Sequence, residues 1–599
     1  MKGQSGKTIR LTVAQAIVKY ISAQYSVADG MRVRMVPAAL GIFGHGNVAG
    51  LGQALDQYSD DLPFVQGRNE QGLAHAAIGF AKATHRRQTL AVTASIGPGA
   101  MNMVTPAALA TVNRLPVLLL PGDTYATRAQ GPVLQQLERP GEPEVSVNDA
   151  FRPISRFFDR ISRPEQILTA LPQAFRILAN PAETGAVVLS LPQDVQSHAF
   201  DYPVEFFAEH DWIIRRPAPD ADEVAAVAAM IAKARKPMII AGGGIHYSQA
   251  TAELEALASA TGIPVAETFG GKGAIQNPGP WHCRGIGLEG TPHTNVLVRE
   301  ADLIISVGTR LADFATGSQS LFDNPDVAFA SINVTEHDGL KQGATTVVAD
   351  AKRALQALTD ALAKYSVPTD WSTRVSTLMS EWAAIREEAL DPSTLFDQST
   401  LEGSEPTDAV LTQAQLIGLM QETSQAGDTI VAAAGGPPGD LQKAWDATDG
   451  RHCHLEFGFS CMGYEIPAAM GVRWANPNTD NRVMSFIGDG TFVMAPTELV
   501  TACQENLPLT IVVAENHGYQ VIRRLQMWRS GSHFGNEFRY RTGDDMVTDD
   551  NAGRLEGDYL DIDIAKMAEG MGATAVRATT ADEVRSALLQ ARGHDGPLV

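Results

Sequence analysis

At 599 residues the chain exceeds what one hydrophobic core organises, about 250 to 300 residues, so two to four domains are expected. Apolar residues at 44% and charged residues at 19% exclude a disordered or fibrous chain. A net charge of -21 without an offsetting Lys/Arg cluster argues against nucleic acid as a partner, and no apolar stretch is long enough to span a membrane.

The start, residues 1–10, is polar and basic with no apolar run behind it, so no targeting segment is expected. Residues 12–21 (TVAQAIVKYI) form a helical pattern leading toward a strand and a Gly-rich turn, Gly41-Ile-Phe-Gly-His45-Gly. The phrase Gln66-Gly-Arg-Asn-Glu70-Gln-Gly then opens an Ala-rich helix over 72–83, with Glu70 at its N-terminal end and His75 one turn further on. Apolar runs at 90–93 and 117–120 read as strands, separated by the turn Gly97-Pro98-Gly99. Gln136 precedes a long insertion at 139–152.

A Pro-rich stretch at 215–220 opens a second region, in which the strands of 237–244 and 301–308 each run into glycine. The triple Gly242-Gly243-Gly244 lacks the G-x-G-x-x-G spacing of a dinucleotide fingerprint. Residues 391–405, rich in Ser, Thr, Asp and Pro, read as a linker. Beyond it the first pattern returns. Residues 412–421 (TQAQLIGLMQ) match 12–21, Gly435-Gly436 takes the place of the first Gly-rich turn, and Gly488-Asp489-Gly490 that of Gly97-Pro98-Gly99. Gly79 and Gly471 lie 392 positions apart, Gly97 and Gly488 391, Leu115 and Leu507 392. A shared order at a shared offset implies two copies of one α/β domain.

The expected fold is α/β: three doubly wound parallel-sheet domains, the first and third related by duplication, with a Rossmann-like middle domain. Expected boundaries are 1–212, 213–390 and 406–599, with 391–405 as linker. The final Gly596-Pro597-Leu598-Val599 reads as a turn and the first residues of a strand, so further chain beyond Val599 is expected. Cys283, Cys453, Cys461 and Cys503 lack C-x-x-C spacing and read as reduced thiols of a cytoplasmic protein.

In the last domain two apolar strands end in Gly488-Asp489-Gly490 and Glu515-Asn516-His517-Gly518, with Asn516 27 positions after Asp489. Adjacent parallel strands would bring a carboxylate, an amide oxygen and the backbone carbonyl of Gly518 together, a set suited to Mg²⁺ already carrying phosphate oxygens. This phrase resembles the thiamine diphosphate signature, with Glu515 standing where that signature carries a first Asn. Along essentially its whole length the chain resembles thiamine diphosphate enzymes of the acetohydroxyacid synthase type. The resemblance implies thiamine diphosphate and Mg²⁺ as cofactors, with Asp489, Asn516 and Gly518 on the metal. It implies that Glu70 hydrogen-bonds N1' of the aminopyrimidine, so that acid/base catalysis runs through the cofactor. It puts Met462 under the bent cofactor, and the Ser460 carbonyl, at a position where the family has Gly, against the 4'-amino group. Gly435, Gly436, Gly488, Gly490, Thr491 and His517 are expected around the diphosphate. Self-association is implied too, with the active site at a dimer interface.

Residues 41–47, 139–152, 533–541 and 553–559 resemble a branch of this family that hydrolyses a carbon-carbon bond in a cyclic 1,2-diketone of inositol breakdown. His45 and His75 are the candidate imidazoles for activating water and returning a proton, and Gln136 a substrate-side amide. A 2-keto acid decarboxylase or carboligase, and a non-catalytic nucleotide-binding protein, are the rival readings.

Overall fold

The computed structural model describes residues 6–127, 131–394, 411–543 and 553–599. They fall into two compact units: 1–215 with 466–477, and 216–465 with 478–599. Most of the expected linker at 391–405 lies outside the described residues; its first residues follow the long helix Thr369–Leu390.

Unit one is organised by a six-stranded parallel sheet whose strands lie in the spatial order Phe64–Gln66, Ala39–Gly41, Ala91–Ala94, Val117–Asp123, Ala186–Pro192 and Phe157–Arg160. Every residue of Val117–Asp123 and Ala186–Pro192 is buried, which is why these strands read as mainly apolar rather than alternating, their polar residues Asp123 and Ser190 being bonded to each other (2.6 Å). Two small sheets decorate the unit and add antiparallel pairs that a purely parallel expectation misses: Thr8–Thr12 with Ala199–Pro203, and Gln24–Ala28 with Met31–Arg34.

Unit two holds two parallel sheets. The first has six strands in the order His282–Gly285, Val265–Glu267, Pro237–Ala241, Leu303–Val307, Ala328–Asn333 and Thr345–Val348. Numbered along the chain this is 3-2-1-4-5-6, the Rossmann order. The triple glycine has a packing cause: Gly244 donates its N-H to the Gly308 carbonyl (2.9 Å) and Gly242 donates to Val307 (2.9 Å), so two turns lie backbone to backbone. The second sheet has five strands in the order His452–Leu455, Thr429–Ala432, Val483–Gly488, Leu509–Ala514 and Pro597–Leu598. Its first four strands repeat the 2-1-3-4 order of the unit-one sheet.

The duplication is also local. Helix Val13–Ser22 is capped by Thr12 and helix Gln413–Glu422 by Thr412, each with a capping box closed by a Gln three residues on. In unit one, helix Glu70–Ala83 meets the segment 466–477 at the paired glycines. A Cβ on Gly79 would stand 2.7 Å from the Ala468 Cα, and one on Gly471 would run into the Ala76 carbonyl.

Candidate functional site

Ligands of open α/β sheets bind beyond the carboxyl ends of the strands where the strand order reverses, here between the first and third strands of each duplicated sheet. In unit one that place is made by the turn after Ala39–Gly41 and the turn after Ala91–Ala94. Asn47 ties them together: its side chain accepts from Gly44 N (2.9 Å) and donates to Thr93 Oγ1 (3.1 Å), while Gly46 N donates to Ser95 Oγ (3.3 Å). This exposes His45 at the mouth of the turn.

Glu70 is the first residue of its helix, and Asn69 caps that helix by accepting from Gln71 N and Gly72 N. The half-buried Glu70 carboxylate accepts from Asn102 Nδ2 (3.0 Å), an amide that also reaches Asn69 Oδ1 (3.1 Å). Asn102 is a residue that sequence reasoning missed. Gly99 completes the niche, since a side chain there would begin 2.9 Å from Glu70 Oε1. Gly97 has a left-handed φ of +62°, and a Cβ there would collide with the Gln135 carbonyl. Gln136 follows, its side-chain amide shielded from solvent and without a hydrogen-bond partner among the described residues. A polar group left in that state is suited to a ligand. His75 is fully buried inside the helix, so of the two candidate imidazoles only His45 is open to water.

In unit two the same switch point gathers Gly435, Gly436 and Gly488 to Thr491. Gly435 has φ +81° and caps helix Gly436–Ala444, where Gly436 alone among the first three residues carries an N-H, since Pro437 and Pro438 have none. Gln413 Nε2 and an Arg524 guanidinium nitrogen lie 3.1 and 3.5 Å from where a Gly436 side chain would begin, so a cation and an amide stand against this turn and a side chain there would crowd them. Among the described residues nothing lies within 4 Å of where a Gly488 side chain would begin. Gly490 is required by the Tyr519 ring, and its N-H turns back to Asp489 Oδ1 (2.7 Å) rather than outward, so Thr491 is the better donor for an anion at this helix start.

The buried Asp489 carboxylate is oriented further by Asn516 N (3.1 Å) and Gly518 N (3.2 Å). The Asn516 side-chain oxygen faces Asp489 Oδ1 at 3.2 Å and the Gly518 carbonyl at 3.0 Å, so three acceptors converge with no hydrogen between them. Turning the amide over would make two hydrogen bonds. The arrangement as it stands instead fits a small hard cation, because neighbouring oxygens of an octahedron with about 2.1 Å bonds are about 3.0 Å apart. Among the described residues no group of His, Cys, Asp and Glu side chains could hold a metal by itself, as expected of a set built from one carboxylate, one amide and one carbonyl. Glu515, the departure from the signature, pairs with Arg577 (3.2 Å).

The ligand loop is braced from a later segment. Tyr519 N donates to the Asn536 carbonyl (2.7 Å) and Phe538 N to the His517 carbonyl (2.9 Å). The His517 ring stacks on Tyr559 (4.4 Å between centroids), and the Arg539 guanidinium covers the same ring at 3.7 Å. His517 has φ +60°, and this stack fixes the orientation of its ring. Glu537 anchors the brace, accepting from Tyr559 (2.8 Å) and pairing with Arg539 (3.1 Å) and Arg523 (3.4 Å). Burial works against its charge, but the hydrogen bonds from Tyr559 and Arg539 and the nearby cations hold the carboxyl below the usual range.

The Met462 turn carries two buried carboxylates that the sequence did not single out. Glu456 accepts from Phe459 N (2.9 Å) and Cys461 N (3.4 Å). Glu465 accepts from Ala434 N and Gly463 N, both at 3.0 Å. Burial pushes the Glu465 carboxyl up to about 7, with Glu456 adding to the rise and the N-H donors opposing it. Ser460 has φ +51°, which explains why glycine suits this position. Met462 is half-buried on the same turn.

Three family models match the chain: the N-terminal TPP binding domain of thiamine pyrophosphate enzymes at residues 23–140, the central domain at 224–358 and the C-terminal TPP binding domain at 433–599. The chain is similar to 3D-(3,5/4)-trihydroxycyclohexane-1,2-dione hydrolase of Bacillus cereus (strain AH820), with 42% identity over 597 residues covering 98% of this chain and 91% of the relative. Proteins of the same name from Bacillus anthracis (strain CDC 684 / NRRL 3495) and Bacillus thuringiensis (strain Al Hakam) match with the same identity and coverage.

Proposed function

The chain belongs to the thiamine pyrophosphate enzymes, and from that premise we propose that it hydrolyses a carbon-carbon bond of trihydroxycyclohexane-1,2-dione, opening the ring to 5-deoxyglucuronate in inositol breakdown. The observation that carries this reading is the 42% identity, sustained over nearly the whole chain, to relatives named for that activity.

When bound, thiamine diphosphate supplies a carbon nucleophile and an electron sink. The chain's own residues do the rest. Asp489, the Asn516 side-chain oxygen and the Gly518 carbonyl would hold Mg²⁺, which would supply positive charge for the diphosphate. The turn at Gly435 and Gly436, the open space at Gly488, and the Thr491 N-H at the helix start beside Gly490 receive the remaining phosphate oxygens. Ser460 offers its carbonyl and Met462 its side chain to the pyrimidine half. Glu70 holds a proton at its carboxyl and exchanges it with the pyrimidine ring, while Asn102 and Gly99 keep that carboxyl in one orientation. On the substrate side, His45 takes a proton from the water that adds to the diketone and returns one to the product, and Gln136 donates its amide to a ring oxygen or hydroxyl. His75, wholly buried, is assigned to packing. The protein self-associates, as the resembling family draws its Glu and its metal ligands for one site from different copies.

Purified protein with thiamine diphosphate and Mg²⁺ is given the cyclic 1,2-dione and, separately, pyruvate. Formation of a ring-opened acid from the dione is expected. Carbon dioxide from pyruvate with no acid from the dione would replace the hydrolase reading with a decarboxylase one.

A further inference from the structure

Buried carboxylates are costly unless something in the fold uses them. Glu456 is 2% exposed and Glu465 1% exposed, and they bracket the turn 459–463 from its two ends. Among the described residues Glu465 meets no cation; its two oxygens each take one backbone N-H, from Ala434 and from Gly463. Glu456 likewise divides its oxygens between Phe459 N and Cys461 N. Both oxygens of each side chain are acceptors, so an amide in either place would set a donor against a donor.

These bonds fix more than the turn's shape. Among the described residues every peptide plane is trans, so each C=O points opposite to the N-H of the next residue. Because Cys461 N-H points at Glu456, the Ser460 carbonyl must point away from it. Because Ala434 N-H points at Glu465, the Ala433 carbonyl must also turn outward, where it accepts from Ser460 Oγ (3.4 Å). Glu465 therefore bridges two loops at once: the one entering Gly435–Gly436 and the one carrying Ser460 and Met462.

We infer that Glu456 and Glu465 are positioning residues that aim the Ser460 carbonyl and lock the Met462 turn to the Gly435–Gly436 turn, and so set the affinity and the orientation of bound thiamine diphosphate. The inference rests on the cofactor reading proposed above. Neither carboxylate touches the cofactor; each acts through backbone amides.

Glu456→Gln and Glu465→Gln are compared with the wild-type protein for thiamine diphosphate binding at saturating Mg²⁺, by quenching of intrinsic fluorescence and by near-ultraviolet circular dichroism of the bound cofactor. Each variant is expected to bind roughly 10-fold more weakly, the loss of one buried hydrogen bond with a donor left facing a donor, and to show an altered dichroic signal at full saturation. A variant with wild-type affinity and an unaltered signal overturns the inference while leaving the cofactor reading intact; a wild-type protein that shows no quenching overturns the cofactor reading itself. Amide hydrogen exchange on the wild-type, cofactor-free protein provides a check independent of any variant's folding. The Ala434, Cys461 and Gly463 amides are expected to exchange slowly, and fast exchange at all three refutes the bonds on which the inference stands.

Discussion

Replacing Glu465 by Gln removes a titration as well as an acceptor, and its effect on stability is worked from the shift. The folded-state carboxyl lies at about 7 against an ordinary value of 4.5, raised first by burial and then by Glu456. A raised folded pKa means that the folded protein binds the proton more tightly than the unfolded one. The stabilising contribution is therefore complete below about pH 4.5 and is lost as pH rises to about 7. The full span corresponds to roughly 3 kcal/mol at about 1.4 kcal/mol per unit, and roughly 2 kcal/mol of it falls between pH 5.5 and pH 8. The amide introduced by Glu465→Gln does not titrate, so the variant should gain on the wild type by roughly 2 kcal/mol between those two pH values, whatever constant penalty its mismatched amide adds. Urea unfolding of both proteins at pH 5.5 and pH 8 measures the difference. Parallel pH profiles would show that this carboxyl ionises as it does in the unfolded chain, and the burial argument would be wrong.

Glu70→Gln should lower turnover by roughly 10²- to 10⁴-fold with little change in cofactor affinity, and Asn102→Leu should reproduce part of that loss by freeing the carboxylate; steady-state kinetics and cofactor titration check both. Asp489→Ala should abolish Mg²⁺-dependent cofactor binding, and chelation should do the same reversibly in the wild type. Ser460→Val, a branched side chain in a left-handed turn, should cost about 1 to 2 kcal/mol more than serine does, read from chemical denaturation. Mixing Glu70→Gln with Asp489→Ala after co-refolding should restore activity that neither has alone, and continued inactivity would count against shared sites in the assembly.

Much of this was legible because it is local. The capping boxes at Thr12 and Thr412 need only a Thr and a Gln three apart, Glu70 declares itself by standing at a helix start, and the glycine turns sit at strand ends. The constant offset between Gly79 and Gly471 exposed the duplication, and the matching strand orders follow from it. What escaped were residues whose role depends on distant packing. Glu456 and Glu465 look in sequence like any acid beside a loop, and only burial reveals them. Helix Glu70–Ala83 is buried nearly all round, so its pattern has no polar face to say that His75 points inward. The Glu537 brace joins residues from 517 to 559 whose association no spacing announces. Asn102 acts on Glu70 from a turn more than thirty residues away.

The helix contact at Gly79 and Gly471 has an implication for how this sequence is free to vary. Two descendants of one ancestral helix press together at the same point of their common pattern, each supplying the notch into which the other's backbone fits. A methyl group at either notch must push both helices apart, so the two positions behave as a single locus written twice, and a change tolerated in one copy has to be accommodated by the other.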